Sequence, residues 1–497
     1  MKLTRGRRIV AAATCAGLAG SLLSIALTPA VAGEPAAPTQ KTPAAASTPA
    51  PQRAAGVVYG LDGDVKVAAS TLASAAGTGP VRVASVVAEA AGQPGVVQFD
   101  SAVPVERARA AADAVAKLPG VAWAAPDLLL TADATPPVNP SDPDFRKGLQ
   151  FNIWDFKSSR PSPKDGSAVA LPAGGYGTKA PVFWKKTKGK ASVVVAVLDT
   201  GRTKHPQLDA HTVAGFDMIK DKSSARDGNG RDANPQDQGD WGFDPSGSLI
   251  PSSWHGTHVA GIIGAIQDGK SVVGNAPGVR IQHVRVLGAK GGTISDIAAG
   301  ITWASGGTVS GLPKNKTKAA VLNMSLGGAG RCTDYPALQK AIDGARSRGS
   351  VVVVAAGNES RDAGGSVPAN CKGVITVAAV DQLGQLTSYS NYGSVVDIAT
   401  TGGEDPYYGP YLLIKSTVNS GKKKPESPAL GYMMGTSQAA PGVAGAAALL
   451  ASTGLKGAAL ENKLLKSVRG FPSYSFYTDS NCTQALCGNG ILDLSKA

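Results

Sequence analysis

The feature that most constrains the fold of this chain is an uninterrupted apolar run at residues 192–198, SVVVAVL, which ends at Asp199-Thr200-Gly201. A strand that is apolar at every position is typical of a parallel sheet covered on both faces. Further strand and helix patterns alternate after it. Strands are predicted at residues 192–198, 279–286, 319–324, 350–355 and 374–380, and helices at residues 255–266, 294–303, 337–348 and 437–451. We therefore predict an α/β domain with a mainly parallel sheet over residues 145–497.

The chain ahead of this domain divides by composition into four shorter parts. Residues 1–32 form a targeting segment, and residues 33–53, rich in Pro, Ala, Thr and Gln, are predicted to be a disordered linker. Residues 54–130 predict a small α+β unit. Its strands are expected at residues 81–87, 96–99 and 121–124, and its helix at residues 105–117. Residues 131–144 are predicted to be an exposed connector that is open to cleavage.

The first 32 residues have the three parts of a secretory signal peptide. Four basic residues lie among the first eight, residues 9–27 are apolar, and Ala30-Val31-Ala32 is a small-residue cleavage site. A membrane anchor is the alternative, but the apolar run contains Gly and Ser and has no charged stop after it. We expect a secreted protein with no membrane association after export. The pair Arg7-Arg8 leaves the Sec and twin-arginine routes both open.

The net charge of +13 arises from 49 Lys and Arg against 36 Asp and Glu. Lysine clusters at residues 185–190 and 422–424 lie beside Gly or Pro and are interpreted as solvated loops. Aromatic residues make up only 5% of the chain, and the sequence has no zinc-finger spacing. We therefore expect no nucleic-acid partner, and we expect a monomer.

Four cysteines remain once the predicted signal peptide, which contains Cys15, is removed: Cys332, Cys371, Cys482 and Cys487. An even number in an exported chain indicates disulfides, with three possible pairings. The short spacing of Cys482 and Cys487 favours a local bridge, which leaves Cys332 with Cys371. A metal site is disfavoured because no CxxC pair and no nearby histidine is present.

Three motifs place chemically active side chains at the ends of predicted elements. Asp199 follows a strand, and ligands of open parallel sheets bind beyond the carboxyl ends of strands. His255 opens a helix in HGTHVAG, and Ser437 opens the last long helix in GTSQAAPG. A serine at a helix start lies beside unpaired N–H groups and the positive end of the helix dipole. These positions suit a carboxylate, a base and a nucleophile.

Each motif alone has a simpler interpretation. Asp199 fits a plain strand-end turn, while an aspartic peptidase needs a second carboxylate, and the sequence has no second Asp-Thr-Gly. A zincin needs His-Glu-x-x-His, whereas His255 and His258 are three residues apart, so His258 is predicted to be structural. Ser437 alone is consistent with a helix cap.

Together, Asp199, His255 and Ser437 stand in the chain order of subtilisin-type proteases. Residues 140–494 resemble the subtilase family, which implies a three-layer subtilisin-like fold and serine endopeptidase activity through an acyl-enzyme. The resemblance makes Ser437 the nucleophile, His255 the general base and Asp199 the residue that orients His255. Asn358, which ends the segment VAAGN, matches the family's side-chain donor to the oxyanion.

The resemblance also implies a groove for protein or peptide substrates, in which an extended chain pairs with a strand edge. The residues implied for that strand and for the walls and base of the S1 pocket are Ser325, Leu326, Gly327, Gly328, Ala355, Ala356, Gly357 and Ser366. A small uncharged base favours medium or large apolar P1 side chains.

The small unit at residues 54–130 resembles in layout the inhibitor-like propeptide of the family. The chain would then be a zymogen whose propeptide is removed by autocatalytic cleavage within residues 131–144.

Three alternatives stay open. The small unit could be an accessory domain kept in the mature enzyme, and the whole chain could be a catalytically inactive binding protein or a general esterase.

An acidic, Gly-rich loop precedes His255. Hard oxygen ligands on a flexible loop suit calcium, and the resemblance implies structural calcium in surface loops. We expect a structural Ca²⁺ site there, with Asp227, Asp232 and Asp240 as candidate ligands. The pattern around Asp227 does not fit an EF-hand, because Arg231 takes the place of a ligand.

Overall fold

The structure is a computed structural model that describes residues 53–62, 65–77, 81–88, 94–132, 150–153, 160–161, 168–169, 176–404, 413–473 and 481–497. The predicted signal peptide, the linker up to residue 52 and residues 133–144 of the connector lie outside the described residues. No helix in these ranges is long and apolar enough to cross a bilayer.

The N-terminal part is a four-stranded antiparallel sheet with two helices. Its elements are β1 (Arg53–Leu61), α1 (Ala69–Ala76), β2 (Val83–Val87), β3 (Gly95–Pro104), α2 (Val105–Ala116) and β4 (Val121–Ala132). Strand β1 lies between β3 and β4, and β2 pairs with the other edge of β3. The structure contains the predicted strands and helix, and it adds β1 and α1, which the sequence pattern did not indicate.

The remainder of the chain alternates strands and helices. From residue 160 to residue 293 the elements are β5 (Arg160–Pro161), β6 (Ala168–Val169), α3 (Ala180–Phe183), β7 (Val194–Asp199), α4 (Pro206–Asp209), β8 (Thr212–Asp217), α5 (Lys222–Ala225), β9 (Gly242–Phe243), β10 (Leu249–Ile250), α6 (His255–Gly264), β11 (Arg280–Arg285) and β12 (Gly292–Thr293). From residue 294 onward they are α7 (Ile294–Ala304), β13 (Val321–Met324), β14 (Leu326–Ala329), α8 (Pro336–Ser347), β15 (Val351–Ala355), β16 (Ser366–Val367), β17 (Ile375–Val380), β18 (Ile398–Thr401), β19 (Ile414–Asn419), β20 (Pro428–Met433), α9 (Thr436–Ala451), α10 (Gly457–Lys466), β21 (Val468–Arg469), α11 (Gln484–Cys487) and β22 (Ile491–Leu492).

The central sheet has nine strands in the order β21-β22-β18-β17-β15-β13-β7-β11-β8. Its strand pairs are parallel except for β21 with β22. Every residue of β7 is buried, as expected for a strand that is covered on both faces. The predicted mainly parallel α/β sheet is confirmed.

Helices cover this sheet on both faces. Because successive side chains of a strand point to opposite faces, Val194 and Leu198 of β7 pack with α7 and α8, while Val195 and Val197 pack with α6, α9 and α10. The predicted three-layer arrangement is therefore confirmed. The carboxyl ends of β7 and β15 lie on the same edge of the sheet. Helices α6 and α9 begin at this edge.

Helix α6 approaches β19 closely at Gly261. A Cβ at this position would collide with the hydroxyls of Ser416 and Thr417. Those hydroxyls donate to the carbonyls of His258 at 2.7 Å and Thr257 at 2.8 Å. The missing side chain thus lets two hydrogen bonds tie α6 to its neighbouring strand.

We expect Gly261→Ala to lower the free energy of unfolding by about 1–3 kcal/mol, because the added methyl group displaces both hydroxyls. Urea unfolding in a Ser437→Ala background, which lacks the predicted nucleophile, measures the change. Gly242→Ala is the matched control, because a Cβ placed at Gly242 would have nothing within 4 Å. Equal stability of the two variants would contradict the close packing.

Candidate active site

A buried carboxylate and a buried imidazole meet at the carboxyl end of β7. Asp199 Oδ1 lies 2.7 Å from His255 Nδ1, and both side chains are fully buried. Because a carboxylate only accepts hydrogen bonds, this contact favours a proton on Nδ1 and makes Nε2 the basic nitrogen of the ring. The geometry suits His255 as a proton acceptor that Asp199 orients.

The two residues that flank His255 fix the start of helix α6 by hydrogen bonds. Trp254 adopts a left-handed backbone with φ of +53°, and its indole N–H donates to the Gly421 carbonyl at 2.7 Å. The Gly256 N–H donates to the Thr200 hydroxyl at 3.0 Å. The start of the helix is therefore tied both to the turn after β7 and to the loop after β19.

Ser437 is the second residue of α9, which packs against α6 in one apolar core. Its Oγ donates to the Ser325 carbonyl at 3.2 Å, and Ser325 Oγ donates to the Ser437 carbonyl at 2.8 Å. That carbonyl would ordinarily receive the helical N–H of residue 441, but Pro441 has none. The Ser325 hydroxyl takes the place of the missing helical bond and fixes the backbone at Ser437.

Asn358 follows β15 and is held by the residue before Ser437. Its Oδ1 accepts the Thr436 N–H at 2.8 Å and the Thr436 hydroxyl at 2.9 Å. The same hydroxyl accepts the Gly357 N–H at 3.1 Å. Because both donors engage Oδ1, the Nδ2 group of Asn358 points away from Thr436. Thr436 received no role from the sequence, although it lies within the serine motif.

The strand implied for substrate binding, at Ser325, Leu326, Gly327 and Gly328, is already paired in this structure. Leu326 of β14 lies opposite Ala132 and Gly327 lies opposite Thr131, in antiparallel register. The other side of β4 pairs with β12, at Gly292 and Thr293. The tail of the N-terminal part therefore lies as an extended strand between two strand edges, of which the sequence indicated only β14.

The S1 walls implied by the resemblance are residues 325–328 and residues 355–357. The second of these walls continues from the end of β15, and the implied base is Ser366. These meet at Asn391, whose Nδ2 donates to Ser366 Oγ at 3.1 Å and to the Ala356 carbonyl at 3.1 Å. The same amide donates to Glu359 Oε2 at 2.6 Å. Asn391 lies far along the chain in an irregular segment, so no local pattern in the sequence indicated it.

The acidic loop does not assemble the predicted calcium ligands. Asp240 accepts the N–H and the hydroxyl of Ser253, both at 2.6 Å, and Asp227 Oδ2 lies 3.5 Å from an Arg285 N–H group. Asp232 accepts a backbone and a side-chain amide of its own loop at 2.7 Å and 2.9 Å. Across the described ranges, no three His, Cys, Asp or Glu side chains are grouped to hold a metal ion. Within the described residues, Asp227, Asp232 and Asp240 are therefore not grouped as a set of metal ligands, and each accepts a hydrogen bond from the protein.

Both predicted disulfides are present. Cys332 bonds Cys371 with a Cα–Cα distance of 5.0 Å, and Cys482 bonds Cys487 with a Cα–Cα distance of 5.5 Å. The first ties the segment after β14 to the segment after β16, and so joins two parts of the candidate S1 pocket.

Comparison with families of known proteins matches residues 190–484, more than half of the chain, to the Subtilase family (Peptidase_S8). An extracellular protease of Xanthomonas campestris pv. campestris is 47% identical over 322 residues, which cover 63% of this chain and 52% of that protein. An extracellular basic protease of Dichelobacter nodosus is 38% identical over 349 residues, which cover 68% of this chain and 52% of that protein. The chain thus spans about half the length of these two curated relatives.

A solved structure described as proteases from Pseudoalteromonas arctica shares the fold with a TM-score of 0.62 and 41% identity. The match covers 72% of this chain and 98% of that one. The fold, the chain order of Asp199, His255 and Ser437, and the family match agree. This chain belongs to the subtilase family.

Proposed function

We propose that this protein is a secreted serine endopeptidase that hydrolyses peptide bonds through an acyl-enzyme on Ser437. The observation that carries the proposal is the buried contact of 2.7 Å between Asp199 and His255 at the sheet edge where α9 presents Ser437. The two relatives named as extracellular proteases support the same activity and secretion.

The chain's own side chains supply each step. His255 Nε2 takes the proton of Ser437 Oγ as the oxygen attacks the peptide carbonyl, and Asp199 stabilises the resulting imidazolium. The Ser437 N–H and Asn358 Nδ2 donate to the oxyanion of the tetrahedral intermediate. His255 then gives its proton to the leaving amine, and a water molecule, deprotonated by the same imidazole, hydrolyses the acyl-enzyme.

The proposed substrates are proteins or peptides that bind in extended form. The β12 and β14 edges offer main-chain hydrogen bonds to such a chain, as β4 receives here. Alanine and glycine line the S1 walls, which supports medium or large apolar P1 side chains. The nearby carboxylate of Glu359 lies 3.6 Å from Arg361 and accepts a hydrogen bond from Asn391. These contacts reduce the preference that this carboxylate would otherwise give to a positively charged P1 side chain.

Ser437→Ala is expected to remove peptide hydrolysis, by about 10⁶-fold in kcat, a size taken from subtilisin-type enzymes. The variant is also expected to be secreted without any cut in residues 131–144. Intact mass and N-terminal sequencing beside wild type test both effects together. Processing that continues in a pure preparation of this variant would contradict self-cleavage, and hydrolysis that continues would remove Ser437 from its role.

Asn358→Ala is expected to lower kcat by about 100- to 1,000-fold, the size known for this donor in subtilisin-type enzymes. Thr436→Val, which loses one hydrogen bond to Asn358, is expected to lower kcat about five- to tenfold. The two effects should not add, because Thr436 acts through Asn358. Thr453→Val, two residues beyond the C-terminal end of α9, is the control and should leave kcat unchanged. Fully additive losses would show that Thr436 acts by another route.

We further propose that residues 54–130 are an inhibitory propeptide, that residues 131–144 contain the processing site, and that residues 145–497 form the mature peptidase. Residues 1–32 are proposed as the signal peptide and residues 33–53 as a linker. The pairing of the β4 tail with β12 and β14 supports this division, because it lays that tail along the groove proposed for substrates.

A buried carboxylate also joins the two parts. Asp127 of β4 accepts the Ser295 N–H at 2.9 Å and the Ser295 hydroxyl at 2.8 Å, at the start of α7. The pKa of Asp127 is raised to about 6, mainly by burial. The charge of Asp296 also raises this pKa, whereas the hydrogen bonds from Ser295 and the charge of Lys220 lower it. A separated propeptide would expose this carboxyl, and its pKa would return toward 3.8.

The sign of this shift predicts tighter propeptide binding in acid. A carboxyl whose pKa is higher in the complex takes up a proton on binding, so binding weakens as pH rises through about 6. We expect the dissociation constant of the processed complex to rise about tenfold between pH 5 and pH 7.5. Asp127→Asn should remove this dependence. The fraction of propeptide that co-elutes with the peptidase measures it, and equal slopes for both proteins would contradict the role of Asp127.

A further inference from the structure

Arg285, the last residue of β11, is a buried cation beside the proposed catalytic residues. Its side chain is 1% exposed. The guanidinium donates to Asp217 Oδ2 at 2.6 Å, to the Ala225 carbonyl at 2.6 Å and to the Thr200 carbonyl at 3.2 Å. A buried guanidinium is retained only where its planar donors meet fixed acceptors, and here three acceptors come from three different segments.

Thr200 links this cation to both Asp199 and α6. Its N–H donates to Asp199 Oδ1 at 2.8 Å, the oxygen that also contacts His255. Its hydroxyl accepts the Gly256 N–H at 3.0 Å and donates to Asp237 Oδ2 at 2.6 Å. One residue therefore touches the carboxylate and the residue that follows the imidazole.

The turn at Thr200 is held at both its carbonyl and its hydroxyl by buried side chains. Arg285 binds its carbonyl, and the buried carboxylate of Asp237 binds its hydroxyl. The backbone next to it is crowded as well: Gly201 has a φ of +108°, and a Cβ there would lie 2.6 Å from the Pro235 carbonyl oxygen and 3.1 Å from Arg285 Cδ. A shift of Arg285 would thus be transmitted to the Asp199 carboxylate through a single residue.

We propose that Arg285 is a positioning residue for the Asp199–His255 pair, acting through Thr200. It also forms ion pairs with Asp217, the last residue of β8, and with Asp227, one of the calcium ligands expected from the sequence. This inference rests on the proposed peptidase activity. It extends that activity to a residue which lies outside the three motifs and does not touch the reacting atoms.

The test compares Arg285→Lys, Arg285→Met and Thr200→Val in the purified, processed chain with a short peptide substrate. Lysine keeps the charge but not the three-way fork, so it is expected to lower kcat about tenfold, and methionine about 100-fold. KM should stay within about twofold, because the groove is not altered. Active-site titration corrects every rate for the fraction of folded enzyme.

The pH profile separates positioning from general loss of structure. A less well-placed Asp199 stabilises the His255 imidazolium less, so the pKa of His255 falls. The acid limb of the kcat/KM profile should therefore shift to lower pH by roughly half a unit in Arg285→Lys. The loss in the double variant Thr200→Val/Arg285→Lys should be smaller than the product of the single losses. Arg280→Lys, at the opposite end of β11, is the matched control and should keep wild-type kcat and pH dependence.

Unchanged kcat and an unchanged pH profile in Arg285→Lys would overturn the proposal whatever Thr200→Val shows, because Thr200→Val removes a hydroxyl that contacts Gly256 and Asp237. The proposal would also be overturned if the number of active sites found by titration and the total rate fell equally, so that kcat per active site stayed the same. Arg285 would then act on folding alone. If Arg285→Met does not fold, Arg285→Lys still decides the question. Wild-type hydrolysis that Ser437→Ala removes shows that the proposed function stands whichever result is found for Arg285.

Discussion

The buried contact of 2.7 Å between Asp199 and His255 is the interaction on which the proposed chemistry depends. It joins the end of a strand that is buried on both faces to the first residue of a helix, and both side chains are fully buried. A buried carboxylate and imidazole are stable together only if their geometry is closely held. The surrounding bonds of Thr200 and Gly256 hold both partners in place.

The same sheet edge also accounts for the N-terminal part. Open strand edges at β12 and β14 suit an extended chain, and β4 fills both of them. Asp127 adds a buried carboxylate at the start of α7, where unpaired N–H groups stabilise negative charge. A segment that satisfies these edges covers the proposed groove, which is why we propose that residues 54–130 are inhibitory.

Much of this could be predicted from the sequence, because the signals are local. The run at residues 192–198 indicated β7, and the three motifs at Asp199, His255 and Ser437 lie where strands end and helices begin. Strand β1 was missed because it contains several Ala and Gly residues, which have low β-propensity. Its conformation is decided by pairing with β3 on one side and β4 on the other. Arg285 and Asn391 were missed because their roles come from contacts with distant segments. The expected calcium ligands are not grouped in the described part of the chain, and composition does not show that Asp240 is bonded to Ser253.

The most direct test of the central claim is covalent labelling of the processed protein with a fluorophosphonate, followed by peptide mapping by mass spectrometry. Such a reagent phosphonylates a serine only when a neighbouring base activates its hydroxyl. We expect one adduct, on Ser437, and none in protein that is denatured before the reagent is added. An adduct on another serine, or full peptidase activity after Ser437 has been labelled, would contradict it.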